Sequence, residues 1–175
     1  DIGEIRYDGD RLVRSNEISY LPQKPYIFDM TVKDNVLLGI GKSKDAEKEA
    51  LDALEHVGMK GFIGARARSL SGGEAQRVAI VRALAIEKRL VLLDEPASAT
   101  DILNVGMIEE YLKIINARNK ATIIFTTHNP SQALRIAHEV IMLWDGSAIE
   151  KGTPEEVLNK PQRNETKLFL ENWRI

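Results

Sequence analysis

The sequence contains no cysteine, which excludes disulfide bonds and thiolate-ligated metal sites. A reducing compartment is the natural environment of such a chain. Long apolar runs are also missing, since no stretch approaches the about 20 residues that a membrane-spanning helix needs, and the first residues lack the pattern of a signal peptide. We therefore expect no direct membrane insertion, and any attachment to a membrane should go through a partner protein.

An excess of basic charge is absent as well. The formal net charge is -2, whereas a general nucleic-acid binder normally carries a basic surplus on one face. The length of 175 residues fits one globular domain. A substrate that carries phosphates would therefore have to be held by local geometry, and no nucleic-acid partner is expected.

The first half of the chain predicts a hairpin, a strand and a surface helix. Asp8-Gly9 between apolar residues favours a tight turn, and a short strand is predicted at Ile18–Leu21. Residues 28–36 mix apolar and charged side chains, which predicts a partly exposed loop with a helical turn. Apolar residues then recur at helical spacing over 46–57, and Gly58 supplies a stop.

The second half alternates helices and strands regularly. Helices are predicted from about Gly72 and over 105–115, and strands over 90–93 and 122–126. This alternation is typical of a parallel sheet covered by helices.

The last fifty residues predict a helix, a hairpin and a second capped helix. The helix follows Pro130, and the hairpin turns at Asp145-Gly146. Thr153 and Glu156 have the spacing of a capping box, with Pro154 at the first helical position.

The segment Leu70–Gln76, with the sequence LSGGEAQ, is the most informative stretch. Ser71 and Glu74 have the spacing of a capping box, and two glycines at the helix entrance leave backbone N–H groups uncovered. A helix start with open space beside it is able to bind an anion. An ordinary capped helix would show the same pattern, so the case depends on the next element.

That element is LVLLDEP, residues 90–96, a buried strand that ends in two adjacent carboxylates and a proline. Ligands bind beyond the carboxyl ends of parallel strands, and buried charges need a partner. A Mg²⁺ ion and a nucleophilic water would account for both acids. Asp94 is then a metal ligand, directly or through a water, and Glu95 polarises the attacking water as general base. A solvated pair at a strand end is the alternative.

The strand over 122–126 ends in the same way one step further along the sheet, and His128 follows it. A lone histidine is usually structural. Because the ends of parallel strands share one edge, we expect His128 to contact the γ-phosphate or the attacking water.

These residues resemble the ATP-binding-cassette (ABC) ATPases, and the resemblance extends over the whole chain. Gln23 matches the Q-loop of that family, LSGGEAQ its signature motif, LVLLDEP its Walker B strand and His128 its switch histidine. The D-loop is matched by SATD, residues 98–101, although Ala99-Thr100 stands where the family often has Ala-Leu or Asn-Leu.

The resemblance implies a head-to-tail dimer with a second nucleotide-binding subunit, in which ATP lies between the P-loop of one subunit and the signature of the other. The cofactors implied are ATP and Mg²⁺. Gln23 would touch the metal and the attacking water, and residues 24–38 would meet a transmembrane subunit. The residues assigned to the nucleotide or the dimer interface are Ser71, Gly72, Gly73, Gln76 and Asp101.

The P-loop of the family, G-x-x-x-x-G-K-[ST], is not found at its place, and we expect it to precede residue 1. Gly41-Lys42-Ser43 invites a false match. The first glycine of that motif would fall on Val36, and the residues before it are too polar for a buried strand.

The predicted fold is therefore α/β, a P-loop NTPase-like three-layer parallel sheet with a helical subdomain and a small antiparallel part, without the P-loop strand and helix. We expect one partial ABC ATPase domain over 1–175. Its parts are predicted as a hairpin and strand (1–22), the Q-loop and helical subdomain (23–86), core strands (87–152) and C-terminal helices (153–175).

The function implied is that of the ATP-hydrolysing subunit of an importer, peripheral on the cytoplasmic face of a membrane. The style of several segments resembles importers of tungstate, molybdate or phosphate. Without a P-loop the chain alone is expected to be inactive. Two alternatives remain, a non-catalytic partner that donates only its signature, and a DNA-repair-type ATPase. The second alternative normally carries coiled coils or cysteine-rich zinc modules, which this sequence lacks.

Overall fold

The computed structural model describes residues 6–7, 11–12, 17–85 and 87–173. They belong to two compact units, residues 1–126 and 127–175, which are described separately. The predicted four-part subdivision stays a prediction.

The first unit contains an antiparallel strand pair and a parallel sheet. β1 (Arg6–Tyr7) and β2 (Arg11–Leu12) are antiparallel, as expected, while Asp8-Gly9 lies outside the described residues. β3 (Ile18–Leu21), β4 (Leu90–Asp94) and β5 (Thr122–Thr126) form a parallel sheet in the order β3-β4-β5. The predicted parallel sheet is confirmed.

The sequence between β3 and β4 forms three helices, which pack together. They are α1 (Val32–Ile40), α2 (Ala46–His56) and α3 (Gly72–Ala85), with short 3-10 turns at Lys60–Phe62 and Ala67–Ser69. Their contact faces are apolar and almost completely buried, as the periodicity of the sequence requires. The central side chains of the helices are Val32, Val36, Leu54, Val78, Ile80 and Leu84, and Val57 and Met59, just after α2, are buried as well.

The helix α1 is longer than the sequence indicated. The predicted helical turn inside a loop is a helix of 9 residues. The backbone N–H of Asp34 donates to the Thr31 hydroxyl at 3.1 Å, which caps the helix start, and the Thr31 hydroxyl donates to the Asp34 carboxylate at 2.6 Å. The predicted loop therefore becomes helix because these two residues cap it.

The helix α4 (Ile102–Asn119) connects β4 to β5. Asp101 caps its start, and Lys120 ends it in the left-handed conformation. Ile108, Leu112 and Ile115 form its buried stripe. This is the crossover connection that two neighbouring parallel strands require.

The second unit consists of α5 (Pro130–Ile136), β6 (Val140–Trp144), β7 (Ser147–Gly152), a π-helical turn (Glu155–Asn159) and α6 (Asn164–Glu171). The predicted hairpin is confirmed, with Asp145 and Gly146 both at positive φ. Its buried core is small and consists of Ala133, Val157, Leu158 and Leu170.

The predicted capping box in this unit is also confirmed. The Thr153 N–H donates to Glu156 at 2.8 Å, and the Glu156 N–H donates to the Thr153 hydroxyl at 3.3 Å. The helix that follows is a π-helical turn rather than an α-helix. Among the helices that the structure describes, none is long and apolar enough to cross a bilayer.

Candidate functional site

The carboxyl edge of the parallel sheet brings several predicted residues together. Asp94 lies opposite Thr126 in the register, and Leu93 lies opposite Leu21. Glu95 and Gln23 each follow two residues after Leu93 and Leu21, so both leave the sheet at the same edge. This is the edge at which open parallel sheets bind ligands.

Thr126 holds the two acidic residues in place. Its hydroxyl donates to Asp94 Oδ1 at 2.6 Å and accepts from the Glu95 backbone N–H at 3.0 Å. The hydroxyl of one residue on β5 therefore fixes the last side chain of β4 and the backbone of the residue that follows it. None of the sequence motifs described above identifies Thr126 as part of the site.

Glu95 has an unusual backbone conformation. Its φ is 45°, in the left-handed region that side-chain-bearing residues seldom adopt. The Ser98 N–H and hydroxyl both donate to the Glu95 carbonyl, at 3.2 and 3.0 Å, which supports the turn. Backbone strain of this kind is concentrated at functional sites because surrounding contacts must maintain it.

The start of α3 has the predicted capping box. The Ser71 N–H and hydroxyl both donate to Glu74 Oε2 at 2.7 Å, and the Glu74 N–H donates to the Ser71 hydroxyl at 3.4 Å. The bond from the Ser71 N–H, followed by the bond from its hydroxyl, lowers the pKa of the Glu74 carboxyl below its ordinary value. The helix start is thus neutralised by a carboxylate of its own chain.

The two signature glycines have different surroundings. A methyl group placed on Gly73 would lie 2.9 Å from the Ala99 carbonyl oxygen, whereas one on Gly72 would meet no atom within 4 Å. Gly73 therefore permits the first turn of α3 to approach the D-loop segment. Gly72 faces open space, which leaves room for a ligand.

Gln76 and Asp101 make internal contacts. The side chain of Gln76 is only 1% exposed, and its amide donates to the Pro96 carbonyl at 3.2 Å. It links α3 to the segment that follows β4. Because its side chain is buried, Gln76 offers no exposed surface in this chain for the predicted contact with nucleotide. Asp101 is exposed and caps α4, and the side-chain bond from Asn104 lowers its pKa.

His128 belongs to the second unit, where its side chain is exposed. Its ring centroid lies 5.8 Å from that of Trp173. The expected contact of His128 with phosphate or water stays a prediction.

The segment Gly41-Lys42-Ser43 does not have the setting of a phosphate cradle. A P-loop connects a strand to the helix that receives the phosphates, but this segment directly follows the C-terminus of α1. Gly41 itself is the capping residue there, with φ at 74°. The prediction that this match is false agrees with that geometry.

The residues at the sheet edge fit a hard divalent cation. Oxygen ligands are what Mg²⁺ prefers, and Asp94 presents a partly exposed carboxylate that Thr126 orients through one oxygen. Within the described part of the chain, no three His, Asp or Glu side chains cluster closely enough to hold a metal by themselves. A Mg²⁺ ion at Asp94 would then take its other ligands from Gln23, water and phosphate oxygens, since this ion commonly keeps several such ligands.

Comparison with known proteins supplies the family. A family model described as ABC transporter matches residues 1–98. The ATP-binding protein ProV of the glycine betaine/proline betaine system of Salmonella typhimurium is 34% identical over 97% of this chain and 44% of its own length. The phosphate import ATP-binding protein PstB 2 of Natronomonas pharaonis is 34% identical over 97% of this chain and 67% of its own length. The chain thus spans less than half of the ProV relative.

Two solved structures have the same fold. An ATP binding subunit of an ABC transporter superimposes with a TM-score of 0.74 at 23% identity, covering 91% of this chain and 69% of that chain. An inward-facing metal-chelate type ABC transporter gives a TM-score of 0.69 at 28% identity, covering 89% of this chain and 64% of that chain. The predicted α/β fold class is confirmed.

Proposed function

The chain belongs to the ABC transporter family, and from that premise we propose that it supplies catalytic and signature residues of an importer's ATP-hydrolysing subunit. Asp94 and Gln23 hold Mg²⁺, and Glu95 accepts the proton of the attacking water. Ser71, Gly72 and Gly73 receive the phosphates of a nucleotide held by a second subunit. Mg²⁺ supplies charge neutralisation on the phosphate oxygens when it is bound.

The observation that carries this proposal is the bond pattern around Thr126. A general base must be held within hydrogen-bond reach of its water, and the Thr126 hydroxyl fixes the Glu95 backbone while orienting Asp94. The left-handed backbone of Glu95 sets the direction in which its carboxylate leaves the strand. A solvated pair of acids at a strand end would not need these hydrogen bonds to Thr126.

The partners proposed are a second nucleotide-binding subunit, arranged head to tail, and a transmembrane subunit. The open space beside Gly72 supports the first, because a ligand from outside the chain can reach this helix start. The exposed aromatic side chains of Tyr26 and Phe28 support docking of the second on residues 24–38. Such a subunit would be peripheral on the cytoplasmic side of the membrane. His128 would contact the γ-phosphate, and Asp101 would cross the dimer interface.

The solute proposed is an oxyanion, with phosphate as the first candidate. Support comes from phosphate import relatives such as PstB 2 of Lactiplantibacillus plantarum, which is 34% identical over 73% of its own length. Relatives that carry the names of betaine or polyamine systems have similar identities. Transport assays with phosphate, tungstate, betaine and spermidine in turn would distinguish these solutes.

We further propose that the 175 residues by themselves do not turn over ATP, because no segment of this sequence matches a phosphate cradle. The purified chain should release no phosphate from ATP above the rate of a Glu95→Gln variant. Hydrolysis by the chain that the substitution abolishes would overturn this part of the proposal.

The central test uses the protein expressed at its natural length. Glu95→Gln should lower ATP hydrolysis by about 10²- to 10⁴-fold while ATP binding persists, because only the proton acceptor is lost. Glu110→Gln is the matched control, since Glu110 is an exposed residue of α4 whose ion pair with Lys113 is long, at 3.8 Å. Equal hydrolysis by both variants would contradict the role of Glu95.

A second experiment addresses the non-catalytic alternative. The chain is mixed with a family subunit that has an intact P-loop but a substituted signature serine. Restored hydrolysis, lost again with Ser71→Ala in this chain, supports signature donation. Continued inactivity argues against it.

A further inference from the structure

Arg82, on the third turn of α3, contacts a loop far from it in sequence. One guanidinium nitrogen donates to the Tyr26 carbonyl at 2.6 Å, and another donates to Asn35 Oδ1 at 3.1 Å. The guanidinium carbon lies 5.1 Å from the centroid of the Phe28 ring, within the range of a cation–π contact. Partial burial lowers the pKa of Arg82.

Asn35 holds the same loop from the other side. It is fully buried. Its Oδ1 accepts from the Phe28 N–H at 3.0 Å, and its Nδ2 donates to the Phe28 and Thr31 carbonyls at 3.1 and 3.0 Å. Arg82 and Asn35 together therefore bind the backbone at Tyr26, Phe28 and Thr31. These bonds satisfy backbone groups that have no partner in regular secondary structure.

The loop presents two aromatic rings in a fixed arrangement. The rings of Tyr26 and Phe28 are 5.0 Å apart at 84°, an edge-to-face contact. Both rings are nevertheless exposed, Tyr26 by 68%. Exposed aromatic side chains that are already rigid are the type of residue that protein interfaces use, because little conformational entropy is lost on binding.

The helices α1 and α3 approach each other closely at Gly39 and Arg82. A methyl group on Gly39 would lie 2.3 Å from the Arg82 carbonyl oxygen, so the two helices touch directly at this residue. The same helix α3 begins at Gly72, about 15 Å away along its axis at the standard rise per residue. One rigid helix therefore carries the signature end and the side chain that holds the aromatic loop.

We propose that Arg82 is a positioning residue through which displacement of the Tyr26–Phe28 pair by a docked protein partner reaches the signature end of α3. This inference rests on the proposed docking of a transmembrane subunit on residues 24–38. Arginine suits the role because its planar fork makes two directed bonds while its face lies on a ring. Lysine can keep the charge but has no such fork.

The test is a double-substitution cycle read by amide hydrogen exchange in this chain. Phe28→Ala disturbs the loop, and exchange is followed in residues 75–80, in α3 beyond the signature. With Arg82 present, Phe28→Ala should change exchange there at least about threefold, as expected for directly coupled residues. With Arg82→Gln, the same loop substitution should have no further effect.

Two more variants separate positioning from general stability. Arg82→Lys should recover part of the coupling, since the charge over the ring remains. Arg68→Gln is the matched control, because it removes an exposed ion pair with Asp29 of the same loop, at 3.3 Å. The control should leave the exchange pattern of α3 within about twofold, as exposed pairs contribute little.

Additive effects of Phe28→Ala and Arg82→Gln on exchange in α3 would overturn the inference. Coupling between the loop and α3 that is as strong in Arg82→Gln as in Arg82→Lys would overturn it as well. If Arg82→Gln does not fold, Arg82→Lys replaces it in a cycle with Phe28→Leu. An effect of the loop substitution on exchange in residues 75–80 that is as large with lysine as with arginine would then overturn the inference. No hydrolysis enters these measurements. Failure of the proposed function, seen with Glu95→Gln, is therefore distinguishable from failure of this inference.

Discussion

The carboxyl edge of the sheet and the start of α3 are both predicted to act on phosphate, yet they are built in opposite ways. At the sheet edge, Thr126 bonds to Asp94 and to Glu95, so the chain itself fixes the reactive groups. At the helix start, Gly72 faces open space, and the N–H groups of Ser71 and Glu74 are bonded within the capping pair. In the proposed function, the first region acts in hydrolysis and the second receives a ligand from another subunit.

This difference follows from what each region needs. A general base acts only at a defined distance from its water, so its rigidity is an advantage. A helix start that is proposed to receive a nucleotide from another subunit would have to remain accessible. The two signature glycines show this difference between packed and accessible positions. A methyl group on Gly73 would meet Ala99, whereas one on Gly72 would meet no atom within 4 Å.

The largest expected effect comes from substituting Gly72 and Gly73 one at a time. Gly73→Ala places a methyl group 2.9 Å from a backbone oxygen, which should cost about 1–3 kcal/mol of unfolding free energy as overpacking. Gly72→Ala should be neutral or slightly stabilising, because alanine favours helix and the added methyl meets nothing. Urea denaturation of both variants measures the contrast. Equal midpoints would mean that both glycines are open.

A smaller effect is expected at the sheet edge. Thr126→Val keeps the shape but removes the hydroxyl and both of its hydrogen bonds, and should cost about 1–2 kcal/mol at this exposed position. Thr122→Val on the same exposed face of β5 is the control, for which we expect almost no change. Thermal unfolding monitored by circular dichroism compares the two. A loss shared by both variants would show that the strand, rather than the bond to Asp94, is affected.

The smallest effect concerns the cap of α3. Glu74→Gln removes the charge at the helix start and should cost about 0.3–0.5 kcal/mol at low salt, reduced further by screening because Glu74 is largely solvated. The bond from the Ser71 N–H lowers the pKa of Glu74 in the folded state. Its contribution is therefore complete above the ordinary value near 4.5 and disappears as the pH falls through the lowered folded value.

Parallel denaturation curves at neutral and strongly acidic pH check this last expectation. The wild type should exceed Glu74→Gln in stability only at neutral pH. An advantage that persists in acid, where both side chains are uncharged, would show that the charge of Glu74 is not its source.

Most secondary structure was predictable because local patterns determine it. The periodicity of α2 and the apolar strands β4 and β5 agree with the expected boundaries to within a residue or two. The main miss, α1, had a readable signal. Thr31 and Asp34 have the spacing of a capping pair, followed by buried positions at Val32 and Val36.

The contacts that give the site its geometry were not predictable from the sequence. Thr126 and Glu95 are distant in the chain, and the left-handed φ of Glu95 has no sequence signal such as glycine. The same limit applies to Gln76, whose motif position indicated a ligand contact while its side chain is buried against Pro96. Sequence identifies which residue types reach an edge, but tertiary contacts decide which of them remain exposed.

The order β3-β4-β5 also has a consequence for how the sheet assembles. Pairing β4 with β5 closes the chain over residues 95–121, whereas pairing β3 with β4 closes it over residues 22–89. The longer closure costs about 0.8 kcal/mol more in chain entropy. We therefore expect β4, α4 and β5 to form an early folding nucleus. β3 should join it once α1, α2 and α3 have packed and brought the two ends of the segment 22–89 together.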